Sequence, residues 1–378
     1  MTAAPPFQVY VHVPYCARRC GYCDFNTYVA PAADRAVFAD AAISEMELAA
    51  RELAGQGREP RPAANVYFGG GTPTLLPAAD LVRMHDAVRR VFGLTPGAEV
   101  TAEANPDTVS PAYLLELAAG GFTRVSIGMQ SAQPHVLAML ERSHSPENVA
   151  AAVAGAKAAG LGVSVDLIYG APGETLADWE GSVRAALDLG LDHISAYALT
   201  LEPHTPLARR VKAGLAAEID PDEMADKYEL ADSLFEAASL NWYEISNWAK
   251  SGFESRHNLG YWLGSEWWGI GPGAHSAIGR ERFWNVKSPR AHAAMVARGQ
   301  LPLGGRDRLS AASLEVERVM LSLRTVRGVE LDGLAPPGRA AAERAAADGL
   351  GGIVDGRLVL TRRGRLLADT VTRSLISV

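Results

Sequence analysis

The residues best suited to inorganic chemistry lie near the start of the chain, in His12-Val-Pro-Tyr-Cys16-Ala-Arg-Arg-Cys20-Gly-Tyr-Cys23-Asp-Phe25. All three cysteines are here, spaced C-x3-C-x2-C. An odd number leaves no complete set of internal disulfides. Short spacers let one loop bring its thiols around one inorganic centre. A structural zinc asks for four ligands in a closed tetrahedron, and the sequence offers no fourth cysteine and no nearby C-x2-C or H-x3-H pair. A [4Fe–4S] cluster fits better, because thiolates are its usual protein ligands. Three of them leave one iron open to the N and O donors of a small molecule. Arg18 and Arg19, inside the loop, are expected to favour the thiolate form. Three inert buried cysteines are the alternative, but chance would scatter them along a chain of 378 residues.

Tyr10-Val-His12-Val-Pro14-Tyr15-Cys16, with Cys20 and Cys23, resembles the radical S-adenosylmethionine (SAM) superfamily. More narrowly it is similar to the HemN/HemW branch, which holds oxygen-independent coproporphyrinogen III oxidases and heme chaperones. The oxidases carry a fourth cysteine where this chain has Phe25, and Cys23-Asp24-Phe25 resembles the chaperones. The resemblance covers nearly the whole chain. It implies Cys16, Cys20 and Cys23 as cluster ligands, SAM as the bound small molecule, and Tyr10 and Tyr22 among the SAM contacts.

Gly69-Gly-Gly-Thr-Pro73 directly follows a predicted strand. Glycines let backbone N–H and C=O groups come close to a ligand. This is no Walker loop, since no Gly-Lys-Ser/Thr follows. The resemblance assigns Gly70, Gly71 and Thr72 to the methionine end of SAM. Glu103, Gln130, Arg142 and Asp166 stand in or just beyond later strands. Asp166 interrupts the apolar run Val-Asp-Leu-Ile, and a carboxylate buried in a parallel strand costs several kcal/mol unless partnered. Each alone could be a structural partner. Together, on successive strand ends, they point to a site at the carboxyl edge of an α/β sheet. By resemblance Glu103 and Asp166 meet the SAM ribose, and Gln130 and Arg142 its polar groups. His12 either orients the cysteine loop, hydrogen-bonds a cluster sulfide, or is a satisfied core residue.

A second informative stretch is Arg256-His257-Asn258-Leu-Gly-Tyr261-Trp262, followed by Trp267-Trp268-Gly-Ile-Gly-Pro-Gly-Ala-His275. Imidazole can ligate heme iron, and aromatic faces suit a macrocycle. By spacing alone packing is the simpler reading. The HNxxYW pattern, however, resembles the one associated with heme in the chaperones. That implies His257 as axial ligand, Asn258, Tyr261 and Trp262 around it, and His275 as a weaker alternative in a turn near the cluster.

These residues need a scaffold. Short apolar runs at Phe7–Val13, 65–68, 99–103, 124–128, 162–169 and 193–199 alternate with helical patterns at 34–53, 81–92, 111–119, 147–159 and 179–189. Alternation of this kind predicts right-handed βαβ crossovers and a parallel sheet. About six units fit, short of the eight strands of a closed barrel. The expected fold is therefore α/β, a partial (β/α)6 radical SAM barrel over 1–205. An extension carrying HNxxYW over 206–305 and a C-terminal α+β, winged-helix-like region over 306–378 follow. In the last region helix, helix, hairpin (with an Asp355-Gly356 turn) and helix are predicted.

The net charge of −7 argues against a general nucleic-acid binder. The start, Met1-Thr-Ala-Ala-Pro-Pro, reads as no signal peptide, so a cytoplasmic protein is expected, and free thiols suit that reducing compartment. Two functions are implied. One is a chaperone holding heme, a [4Fe–4S] cluster and SAM, and passing heme to an acceptor such as a respiratory membrane protein, as monomer or homodimer. The other is a radical SAM enzyme with an electron donor, of the coproporphyrinogen-decarboxylating type or a related transferase. Phe25, HNxxYW and the short N-terminus favour the chaperone.

Overall fold

The computed structural model describes residues 6–58 and 60–376, so the leader reading at Met1 to Pro5 falls outside the described residues. Strand β1 (Phe7–Val13) runs into the cysteine loop. Then come β2 (Ala63–Gly70), β3 (Leu94–Ala104), β4 (Arg124–Gln130), β5 (Gly162–Tyr169) and β6 (His193–Ala198). Each is parallel to the one before. The crossover helices span Phe38–Gly55, Ala78–Val91, Pro111–Ala119, Pro146–Ala158 and Leu176–Asp188. Their starts are encoded locally. Ser145 with Asn148, and Thr175 with Asp178, form reciprocal capping boxes.

Parallel strands covered on both faces usually read as unbroken apolar runs. Here they alternate. Val9, Val11, Val66, Phe68, Val125 and Ile127 point outward and are fully buried under the helices. The inward positions are polar. Asn65 donates to Gln8 (2.7 Å), the Ser126 and Ser164 hydroxyls pair (2.8 Å), and Tyr67 donates to Glu103 (3.0 Å). The helices therefore hold the barrel together, while its lumen is free to carry chemistry.

The sheet grows at both edges. β7 (Asn241–Glu244) and β8 (Asn247–Ala249) add antiparallel beyond β6. β9 (Glu266–Ile270) lies parallel beside β1, followed by antiparallel β10 (His275–Ile278), β11 (Glu281–Asn285) and β12 (Leu303–Arg308). The result is one 12-stranded sheet whose edges, β12 and β7, do not meet. The central six-strand parallel unit is an open, partial barrel. The tryptophan-rich stretch, to which the sequence reading assigns no strand, is thus part of the main sheet.

The C-terminal part has its own core, with Val319, Leu323, Leu358 and Leu375 at its centre. β13 (Val329–Glu330), β14 (Gly351–Val354) and β15 (Arg357–Leu360) form a three-stranded sheet beside helices Ala311–Ser322, Pro336–Ala347 and Ala368–Ile376. The predicted Asp355-Gly356 turn is present, with φ of 47° and 73°, as a two-residue hairpin of right-handed twist requires. This part is clamped to the sheet by Arg365, which grips Asp232 bidentately (2.9 and 2.6 Å), and Trp248 donates to the same carboxylate (2.7 Å). Among the described residues no helix is long and apolar enough to cross a membrane.

Candidate functional site

At the carboxyl end of β1–β6 opens a cavity of about 530 Å3, lined by Cys16, Cys20, Tyr22, Cys23, Gly70, Gly71, Thr72, Glu103, Gln130, Arg142 and Asp166. Of the residues that the sequence assigns to the cluster, to SAM contact or first to axial ligation, these eleven are therefore brought together. Tyr10 and His257 are not among its walls.

The cysteine loop is fastened through its backbone. Cys16 N–H donates to Tyr28 O (3.0 Å), Tyr28 N–H to Pro14 O (2.7 Å), Thr72 N–H to Tyr15 O (2.7 Å) and Leu207 N–H to Gly21 O (2.9 Å). Gly71 is required by this contact: a Cβ there would lie 2.5 Å from Tyr15 O, a backbone atom that cannot swing aside. His12 resolves into a loop anchor. Its Nε2 bonds Asn26 O and its Nδ1 meets Tyr10 OH, both at 3.0 Å. Tyr10 supports the loop through that bond.

Burial pushes the Cys16 thiol up, and the Cys23 thiol up to about 11. Thr72 Oγ1 (3.9 Å from Cys16 Sγ) and Arg142 act in the opposite direction on Cys16. Arg142 Nη1 also approaches Cys20 Sγ at 3.8 Å. The cation that favours thiolates is thus Arg142. Arg18, expected in that role, is two-thirds exposed and turns to Glu141; Arg19 is exposed at the rim. Phe25, at 58% exposure, sits on the cavity lip where the oxidases are expected to carry a cysteine.

The floor carries two carboxyls. Glu103 accepts from Tyr67 OH and from Gly70 N–H, each at 3.0 Å. Burial, and then the neighbouring Asp166 charge, raise Glu103 to about 7. Asp166 accepts from Ser126 Oγ (2.9 Å) and is also raised by burial, against the opposing bonds of Ser195 and Ser126. Gln130 has φ of 57° at a register break between β4 and β5, a left-handed conformation costly for a residue with a Cβ. Gln130 Oε1 and Arg142 Nε are buried without a partner in the chain. Buried polar atoms are usually satisfied, and both of these residues line the cavity, so a ligand there can supply the missing partners. Sequence reasoning missed Tyr67, Ser126, Ser195 and Tyr197. The signal was there: polar residues at every second position of the strands, as in Arg124 and Ser126 or His193, Ser195 and Tyr197.

The residues fit a cubane cluster. Among the described residues no three His, Cys, Asp or Glu side chains converge tightly enough to share one metal ion. A cubane spreads its thiolates over separate iron corners and does not ask for that convergence.

His257 lies at the other end of the lumen. Helix Arg256–Trp262 covers the amino ends of the strands, with Arg256 and His257 N–H both donating to Glu99 (3.0 and 3.3 Å). The imidazole is 2% exposed. Its Nδ1 bonds Asn65 Oδ1 (2.7 Å), its Nε2 bonds Tyr261 OH (3.0 Å), and its face stacks on Tyr67 at 4.6 Å. Burial lowers its pKa to about 3. In this conformation neither ring nitrogen is available to an iron, contrary to the axial-ligand expectation.

An open parallel barrel with a three-cysteine loop at its carboxyl edge is the architecture of the radical SAM superfamily, and residues 10–186 match that family. Within it the chain belongs to the HemW family. It is 50% identical over 376 residues to the heme chaperone HemW of Mycobacterium tuberculosis, covering 98% of this chain and 95% of that one. To HemW of Bacillus subtilis it is 32% identical, covering 96% and 97%. The structure of Escherichia coli coproporphyrinogen III oxidase HemN superposes with a TM-score of 0.84 at 22% identity, over 99% of this chain and 91% of that one, a likeness of fold.

Proposed function

We propose that this chain is a heme chaperone of the cytoplasm that carries a [4Fe–4S] cluster and SAM and hands heme to an acceptor, such as a respiratory membrane protein. The observation that carries the reading is the half-identity to a heme chaperone along 98% of the chain. Cys16, Cys20 and Cys23 hold the cluster. When bound, the cluster supplies an open iron and one-electron chemistry. The backbone of Gly70 to Thr72 receives the methionine end of SAM, and Arg142 its carboxylate, for which a guanidinium fork is suited. Tyr22, Gln130, Glu103 and Asp166 line the remainder, with the two carboxyls accepting from ribose hydroxyls. Tyr67 and Ser126 hold those carboxyls in place.

The test uses anaerobically purified protein with reconstituted cluster. Heme is titrated by absorbance, and in parallel the protein is incubated with coproporphyrinogen III, SAM and a strong reductant. Stoichiometric heme binding without porphyrin product is expected. Protoporphyrinogen together with 5′-deoxyadenosine would overturn the reading in favour of an oxidase.

A further inference from the structure

An axial heme ligand needs an imidazole nitrogen that is both free and reachable. Most histidines of this chain fail one condition. His12 and His257 have both nitrogens bonded. His85, His144 and His193 are buried, each with one nitrogen on a carbonyl or hydroxyl. His292 is buried against Glu45 (2.7 Å), and exposed His135 has its Nε2 on Asp178 (3.3 Å), which leaves it only Nδ1. Among the described residues, His204 and His275 remain exposed with no partner to their ring nitrogens.

His275 has what His204 lacks. It begins β10 and stacks against Trp284 across the β10–β11 pair, with ring centroids 5.8 Å apart and planes 25° from parallel. An axial imidazole stands upright on the macrocycle, so a ring stacked on its face braces it in one orientation. Trp284 is itself seated over Gly305, where a Cβ would meet the indole at 2.3 Å. Lys287 lies near enough to disfavour the imidazolium, and partial burial acts the same way first. Its exposed ammonium is a match for a propionate. The site also borders the cluster loop: Asn26 Nδ2 donates to Pro272 O and Lys287 O, both at 2.9 Å.

We propose that His275, braced by Trp284 and with Lys287 as propionate partner, is the axial ligand through which this chain takes up heme, an iron macrocycle bearing carboxylates. This rests on the chaperone reading. It places heme beside the cluster loop, on the edge strands added to the barrel, and assigns HNxxYW a structural task.

Hemin is titrated into reconstituted full-length protein, into His275→Ala and His204→Ala, and into Trp284→Leu. Soret and visible spectra and the EPR of the ferric complex are recorded. His275→Ala is expected to lose the histidine-ligated signature and weaken heme affinity on the order of tenfold or more. Its cluster iron and melting temperature should stay unchanged, because the residue is exposed. Added imidazole should restore the signature. Trp284→Leu should keep the ligand signature but broaden it. An unchanged spectrum in His275→Ala, or loss of the signature in His204→Ala instead, overturns this assignment alone. Absence of heme binding by the unsubstituted protein overturns the chaperone reading with it.

Discussion

The two ends of the barrel lumen are built from the same strands with the same inward polar alternation, yet they differ in what completes them. At the amino end, helix Arg256–Trp262 fills the opening. Gly260 comes so close that a Cβ would lie 1.9 Å from Gln8 Oε1, and His257 spends both nitrogens on Asn65 and Tyr261. At the carboxyl end no segment among the described residues fills the space, and Gln130 Oε1 and Arg142 Nε stay unmatched. Polar residues in a lumen do not by themselves make a site. What separates the ends is whether the chain closes the opening with its own helix or leaves the space to a ligand. Unmatched atoms alone do not separate them, since Gln8 Nε2 at the closed end also lacks a partner.

The largest effect that can test this contrast is at the cluster loop. Cys20→Ala should lose the cluster, read as iron and sulfide content, while far-ultraviolet circular dichroism stays native, because the loop is fastened by backbone bonds. Full iron and sulfide in that variant would sink the cluster assignment. Next, Arg142→Ala should weaken SAM binding on the order of 10- to 100-fold, since a hydrogen bond to a charged group contributes about 1.5–3 kcal/mol. SAM affinity within a factor of two of the original would remove Arg142 from the site. At the opposite end, His257→Ala should act on stability. It leaves buried partners unpaired and a void against Tyr67, costing about 2–4 kcal/mol, with cluster and heme stoichiometry retained. Lost heme binding at an unchanged melting temperature would reverse the contrast and return HNxxYW to ligand duty.

The carboxyl end was legible in the sequence because its chemistry is concentrated. Three cysteines in eight residues, a glycine run after a strand, and Asp166 inside an apolar run each break a local rule, and the alternating pattern places all of them on one edge. The amino end was not legible for the opposite reason. Asn65, Gln8 and His257 are far apart in sequence and meet only through β1–β2 pairing and the docked helix. The Trp-rich stretch misled in the same way. Its strands are short and Gly-punctuated, and β9 joins the sheet only through β1 at the far end of the chain, so neither period nor length announces them. The role given to Arg18 and Arg19 failed because sequence proximity to a thiol does not fix side-chain direction. Glu141 draws Arg18 off, and Arg142, more than a hundred residues away, supplies the charge.

The last test concerns Glu103, and it sharpens the contrast through pH. In the unfolded chain this carboxyl titrates near its ordinary 4.5; in the folded protein it is raised to about 7. A raised acid binds its proton more tightly in the native state. Its contribution is therefore fully present below pH 4.5 and is lost as pH climbs through about 7. The loss amounts to about 3 kcal/mol, since each tenfold gain in proton affinity is worth about 1.4 kcal/mol. Other raised carboxyls, Glu244 among them, titrate in the same window, so the quantity to measure is the difference in denaturant stability between the unsubstituted protein and Glu103→Gln, from pH 4 to 8. The amide should gain relative stability as pH rises. SAM affinity should move the other way. Ribose hydroxyls donate best to an ionised carboxylate, so binding by the unsubstituted protein should tighten between pH 6 and 8, around the raised value of about 7. Binding by Glu103→Gln should stay flat. Parallel profiles for the two proteins would mean that Glu103, like Glu99 at the closed end, is held by the chain for its own packing and not for the ligand.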